Sequence, residues 1–315
     1  MKINKNIFFL AFLTSSLILS GCQSDMGSKP QKGNGTRDNT PIVLIPQSSG
    51  HKTIGNHKIT FDISHTNDGY IMVKYTGQNP KVKVRIKNPN ENDPYTYDIF
   101  DGYNVFPLTG GNGQYTLTAY ENISGTKYSQ LFSQSVQITI DNELSPYLYP
   151  NQYVNFNPET KLIQTGQEIA EGADNDLDVV TYVYDYVIRT LTYDDQKAQE
   201  AKDGNLNGYL PDVDEIINKK TGICFDYAAV MATMLRSQNI PTRMMIGYVS
   251  MNGESIYHAW ISVYLKDTGW VDNLIQFDGK NWSMMDPTLI SDGNNSSSIR
   301  DFVTNKNNYT TKYLY

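Results

Sequence analysis

Gly222-Ile223-Cys224-Phe225-Asp226-Tyr227-Ala228 opens a run that stays apolar on nearly every side as far as Gln238. Only Asp226, Arg236 and Ser237 interrupt it, so Phe225 to Gln238 reads as a helix buried in the centre of a domain rather than lying on its surface. Asn239 and Pro241 stop the helix. Arg243 to Val249, Tyr257 to Leu265 and Trp282 to Asp286 then read as strands. One central helix followed by a short antiparallel sheet is an α+β arrangement.

Upstream, Glu159 to Glu171 and Asp178 to Leu191 have helical spacing, the second with Val179, Val180, Val183, Tyr186 and Val187 on one side and Asp176 as its cap. A short helix spans Val213 to Lys219. Residues 142–158, with Pro146, Pro150 and Pro158, read as an extended linker at the head of this unit, which takes residues 142–315.

Residues 46–141 have a different period. In Lys81-Val82-Lys83-Val84-Arg85-Ile86-Lys87, Val82, Val84 and Ile86 share one face and the charges the other, which is a half-buried strand. Lys58 to Ile63, Tyr70 to Tyr75, Tyr95 to Phe100, Gln114 to Tyr120 and Ser133 to Ile140 follow suit between Asn, Gly and Pro clusters, predicting an all-β sandwich. His51, His57 and His65 fall in its loops without metal spacing.

Residues 23–45 begin with a Gly, Ser, Asn, Lys and Gln mixture and read as a flexible tether, reaching on the order of 25 Å. Before it, residues 1–22 carry Lys2 and Lys5, an apolar run from Ile7 to Leu19, then Ser20-Gly21-Cys22, the order of a secretion signal. The apolar run is too short to span a bilayer comfortably. Leu19-Ser20-Gly21-Cys22 resembles the bacterial lipoprotein signal, which implies lipidation at Cys22, a membrane anchor and an extracytoplasmic address. With Cys22 lipidated, the second of the two cysteines has no intramolecular disulfide partner. A net charge of −7 with no basic stripe excludes nucleic acid as the expected partner.

Cys224 falls on the first turn of the central helix, where unpaired backbone N–H groups and the dipole favour a thiolate. His258 is the only histidine after residue 65, and Asp286 precedes Pro287 on the next expected strand. If those strands are neighbours, Asp286 can orient the His258 imidazole while the imidazole pairs with Cys224. Singly, each has a plainer reading: a small buried hydrophobe, a core histidine, the start of a turn.

Taken with Met234 to Arg243, Gly247-Tyr248, His258-Ala259-Trp260 and Met285-Asp286-Pro287-Thr288, the Gly222 to Ala228 string closely resembles the bacterial transglutaminase-like core. The resemblance covers about residues 178–290, takes in Tyr193-Asp194, and leaves out the β-sandwich. It implies a papain-like triad with Cys224 as nucleophile, His258 as general acid/base and Asp286 as orienter, acting on protein or peptide amides through a thioester without a cofactor. The outcome can be hydrolysis, deamidation or cross-linking. Tyr193 is the candidate for a second oxyanion donor, against plain packing. The competing reading is an adhesive or scaffold surface lipoprotein whose triad is vestigial.

Asp203-Gly204-Asn205-Leu206-Asn207-Gly208 approaches an EF-hand loop ending at Asp214, but Asp replaces the bidentate Glu and Pro211 stands at the ninth position. The stretch reads as an Asn/Gly turn, and no metal site is assigned.

Overall fold

The structure is a computed structural model that describes residues 30–91, 93–251, 254–272, 276–277, 282–283 and 306–315. Cys22 and Asp286 lie outside the described residues.

The β-rich part runs β1 (Thr53–Gly55), β2 (Ile59–Asp62), β3 (Tyr70–Tyr75), β4 (Val82–Lys87), β5 (Tyr95–Asp98), β6 (Tyr103–Pro107), β7 (Gly113–Ser124) and β8 (Lys127–Ile138). Two four-stranded antiparallel sheets form, in the orders β1-β2-β3-β6 and β5-β4-β7-β8. The alternation of β4 holds: Val82, Val84 and Ile86 are buried, and they join Phe61, Val73 and Phe106 of the other sheet in one core. β1 and β6 were not legible in the sequence. In β6, Asn104 breaks the apolar pattern, and its side chain is satisfied by the Phe100 carbonyl at 2.8 Å.

The second part runs α1 (Lys161–Ala170), α2 (Asp176–Thr190), β9 (Thr192–Tyr193), α3 (Asp195–Lys202), α4 (Val213–Lys219), β10 (Thr221–Gly222), α5 (Cys224–Ser237), β11 (Thr242–Met251), β12 (Glu254–Leu265), β13 (Gly269–Asp272), β14 (Gln276–Phe277), β15 (Trp282–Ser283) and β16 (Tyr309–Leu314). Helices α1, α2 and α4 pack on α5, as do β11 and β12, which is why α5 shows no polar face. The main sheet has the order β13-β12-β11-β16. This is the expected α+β architecture.

Four expectations are corrected. The cap of α2 is Asn175, whose side chain accepts from the Asp178 N–H at 3.0 Å, rather than Asp176, which is the first helical residue. The linker is not merely extended: Val154 and Phe156 are buried, and Tyr153 lies against Tyr97, Tyr315 and Phe225, so the sandwich and the helical part share one continuous core. Residues 31–42 are not a free tether. The Asp174 carboxylate accepts from the Asn34 and Thr36 N–H groups at 3.0 and 3.1 Å, Arg37 Nε meets Asp176 at 2.8 Å, and the Ile42 N–H donates to the Ser237 carbonyl at 2.8 Å. Finally, β12 neighbours β11 and β13, while the Trp282 strand pairs with β14.

Asp214, which ends the EF-hand-like stretch, lies in the first turn of α4. Its two carboxylate oxygens accept from the Lys161 and Leu162 N–H groups at 3.0 Å each, capping α1 from α4.

Candidate active site

The site is assembled where two short strands each lead into a helix. β9 and β10 pair in parallel with Gly222 opposite Tyr193, and the Asp194 N–H donates to the Gly222 carbonyl at 3.0 Å. Asp194 then caps α3 by accepting from the Lys197 N–H at 2.9 Å. On the other strand, Ile223 is extended (φ −100°, ψ 177°) and Cys224 is the first helical residue of α5, partly buried against the core.

The first turn of α5 is closed by its own side chain. Asp226, three residues after the cap, reaches back to accept from the Ile223 N–H at 2.8 Å, one half of a capping box. Its carboxylate is 0% exposed and takes two further donors: Lys197 Nζ from α3 at 2.6 Å and the Tyr209 hydroxyl at 2.6 Å. Lys197 Nζ also donates to the Tyr209 oxygen at 2.7 Å and sits 4.0 Å from the centre of that ring. Burial, and then the bond to Asp226, push the Tyr209 phenol far up, so it stays neutral and donates. Gly222 makes this possible, because a Cβ there would lie 2.7 Å from Asp226 Cβ and 3.0 Å from Oδ2.

At its other end α5 turns through Asn239 (φ 58°) into β11, which runs back along the helix. A helix of this length covers about 20 Å, as do some six strand residues, which brings Cys224 level with Tyr248 of β11 and with Tyr257 and His258 of β12. The register agrees: Tyr248 faces Tyr257, and Gly247 faces His258. Cys224 is one of the groups acting on the Tyr257 phenol. Crowding by protein around the hydroxyl, then the phenols of Tyr313, Tyr153 and Tyr248, and then Cys224, push it up to about 12.

Tyr257 and His258 leave β12 on opposite sides. Tyr257 is in phase with Ala259, Ile261 and Val263, which join the core around α5. His258, 8% exposed, is in phase with Trp260, with ring centres 6.1 Å apart and planes 20° from parallel. The thiol and His258 thus share a level along the sheet, and Cys224 is among the groups that act on the neighbouring Tyr257 phenol. Tyr257 and Tyr248 are 56% and 39% exposed and meet edge to face at 5.4 Å, forming an aromatic rim at that level.

Sequence reading missed Lys197 and Tyr209. α3 buries no residue and Tyr209 follows an Asn/Gly loop, so neither carries a periodic signal; Asp226 figured only as an interruption of the apolar run, though its place in the first turn of a helix was a signal for a cap. Tyr193 pairs with Gly222, two residues before the thiol.

Comparison with known proteins defines the class first. Residues 163–273, from the start of α1 to just past β13, match the transglutaminase-like superfamily, and over that span the fold is transglutaminase-like. The match includes Cys224 and His258, covers less than half the chain, and stops before Asp286. Among particular relatives, the uncharacterized protein YebA of Bacillus subtilis (strain 168) is 32% identical over 120 residues, a span of 33% of this chain and 16% of that protein. A structure from Cytophaga hutchinsonii, provisionally described as a cysteine protease, aligns with a TM-score of 0.38 at 16% identity over 78% of this chain and 83% of that one. Red sea bream transglutaminase aligns with a TM-score of 0.32 at 13% identity over 75% of this chain and 53% of that one. Likenesses this distant say nothing about a reaction.

Proposed function

We propose that the chain is a thiol enzyme of the transglutaminase-like class, held at the extracytoplasmic face of a membrane by lipid on Cys22 and acting on protein or peptide amides. The observation that carries the reading is Cys224 at the first residue of a buried helix, level along the sheet with His258. Cys224 attacks an amide carbonyl carbon, forming a thioester as the carbon–nitrogen bond breaks. His258 passes the thiol proton to the departing amine, and water or a second amine resolves the thioester. Asp286 orients the imidazole, and Tyr193 supplies a donor beside the Cys224 backbone N–H for the oxyanion. Hydrolysis, deamidation and cross-linking share these steps and differ in what resolves the thioester.

The second reading, a surface scaffold with an idle triad, draws on the β-sandwich, which lies outside the matched residues 163–273. A single assay separates the two. The full chain in detergent is given a glutamine-containing protein and a fluorescent primary amine, with Cys224→Ala, His258→Ala and Tyr257→Phe beside it. Amine incorporation means cross-linking, chain cleavage means peptidase, and ammonia release alone means deamidase. Each should vanish in the first two variants and persist in Tyr257→Phe. No product from wild type, or product undiminished in His258→Ala, would sink the reading.

A further inference from the structure

The Lys197–Asp226–Tyr209 cluster lies outside the three residues of the triad, and its placement gives it a task. Asp226 is a fully buried carboxylate two residues from the thiol, with its side chain turned back over the start of the same helix to the Ile223 N–H. An uncompensated buried carboxylate there would oppose a thiolate at Cys224 and would itself be costly to keep ionised. Lys197 meets that charge at 2.6 Å, and Tyr209 closes the triangle without adding charge.

We propose that Lys197 and Asp226 form an electrostatic positioning pair for Cys224: Asp226 fixes the first turn of α5, and Lys197 cancels the charge that this fixation brings beside the thiol. The proposal rests on Cys224 being the reacting thiol. Among the described residues, the ionisable groups about the first turn of α5 are Asp226 itself, Asp194 and Lys197 at the head of α3, Tyr209 with Asp212 and Glu215 acting on it, Tyr257 and His258 on β12, and Tyr153, which packs on Phe225. The tyrosines are neutral in the working range. His258 is present in every variant, so its contribution is common to all. Lys197 and Asp226 carry opposed charges in direct contact, and removing them one at a time should move the thiol in opposite directions while the other charges stay the same in every variant.

The test is the pH profile of Cys224 alkylation by iodoacetamide on the full chain in detergent, read by mass spectrometry on the Cys224 peptide. Lys197→Met should lower the rate near neutrality by about tenfold, the effect of roughly one unit on the thiol's midpoint, with the rate recovered at higher pH. Asp226→Asn should shift the midpoint the other way and raise the rate below neutrality. Lys197→Arg should follow wild type. A merely structural role would lower the plateau in both variants and leave the midpoint in place; that result, or shifts of the same sign, would overturn the proposal. Should Asp226→Asn not fold by circular dichroism, the contrast between Lys197→Met and Lys197→Arg decides alone, and equal profiles reject the pair. The readout requires no turnover, so wild type lacking enzymatic activity leaves this result standing.

Discussion

Arg236 offers the sharpest test of how the two parts of the chain are joined. Its guanidinium is completely buried near the end of α5 and faces carbonyls instead of a carboxylate. Nε and Nη2 donate to the Thr242 carbonyl at 3.0 and 2.8 Å, Nη1 to Tyr149 at 2.7 Å and Nη2 to Tyr315 at 2.7 Å. One side chain therefore ties the linker, the start of β11 and the residue after β16 to the central helix. Burial of an unpaired cation pulls its pKa down from 12.5 to about 9, so the charge is held at a cost.

Arg236→Met keeps most of the volume and removes that cost, but it takes the guanidinium donors from the Thr242 and Tyr149 carbonyls, at about 1–3 kcal/mol each, while the Tyr315 carbonyl keeps the Met244 N–H. Relief of the desolvated charge offsets part of the loss. The balance is about 1–3 kcal/mol, the scale of leaving a buried acceptor unsatisfied, since no buried charge remains. Against a typical total of about 5–15 kcal/mol, that is a large fraction. Urea unfolding with linear extrapolation measures it, with hydrogen exchange at the Met244 and Tyr315 amides, whose reciprocal 2.8 Å bonds hold the end of the sheet, as the local readout. A loss below about 1 kcal/mol with those amides still protected would refute the assignment of Arg236 as the tie.

Gly222→Ala puts a Cβ 2.7 Å from Asp226, so Asp226 must give up the Ile223 N–H; a loss of about 1–3 kcal/mol and slower Cys224 alkylation are expected, checked by thermal melting and by the alkylation rate. Asp214→Ala uncaps α1 and should cost about 0.5–2 kcal/mol by urea unfolding whether or not calcium is present, since both carboxylate oxygens already serve backbone donors. Gly247→Ala places a Cβ 2.0 Å from the Thr310 carbonyl and should detach β16, seen as lost protection of residues 309–314 in hydrogen exchange. Burial pushes Tyr70 and Tyr153 up to about 12, against about 10 in an unfolded chain. Their contribution is intact below pH 10 and is lost as pH climbs to about 12, because the unfolded chain releases protons that the fold retains. Tyrosinate absorbance should then rise in two waves, the second coinciding with loss of circular dichroism; one wave near pH 10 with the fold intact would contradict this.

What the sequence made legible follows from periodicity. β4 and α5 could be read because one alternates strictly and the other is apolar all round, and each pattern fits one kind of burial. α3 could not, since Asp195 to Lys202 buries no residue and is held by the Asp194 cap and by Lys197 reaching α5. Half of β8 escaped for a similar reason: Lys127 to Gln130 is a largely exposed stretch of edge strand whose order comes from pairing with β7. Cys224 and His258 were legible as residues, but the side from which each reaches the other depends on register, which no local pattern displays.

That register leaves little freedom. β11 and β12 pair over ten consecutive residues without a shift, and sliding by one would turn Ala259, Ile261 and Val263 out of the core. Ile261 and Val263 alone would forfeit about 1.5–3 kcal/mol each, so the level of His258 along the sheet is fixed by its neighbours in the strand. The irregularity that does exist is across the sheet: β16 shifts register between Ile246 and Gly247, and Gly247 is the residue opposite His258. Only a residue without Cβ tolerates β16 this close, and an irregular pairing there lets the sheet twist locally beside His258. The enzymatic reading therefore takes His258 where this register holds it, level with Cys224 and beside the Gly247 irregularity, and requires no rearrangement of the core packed on β12.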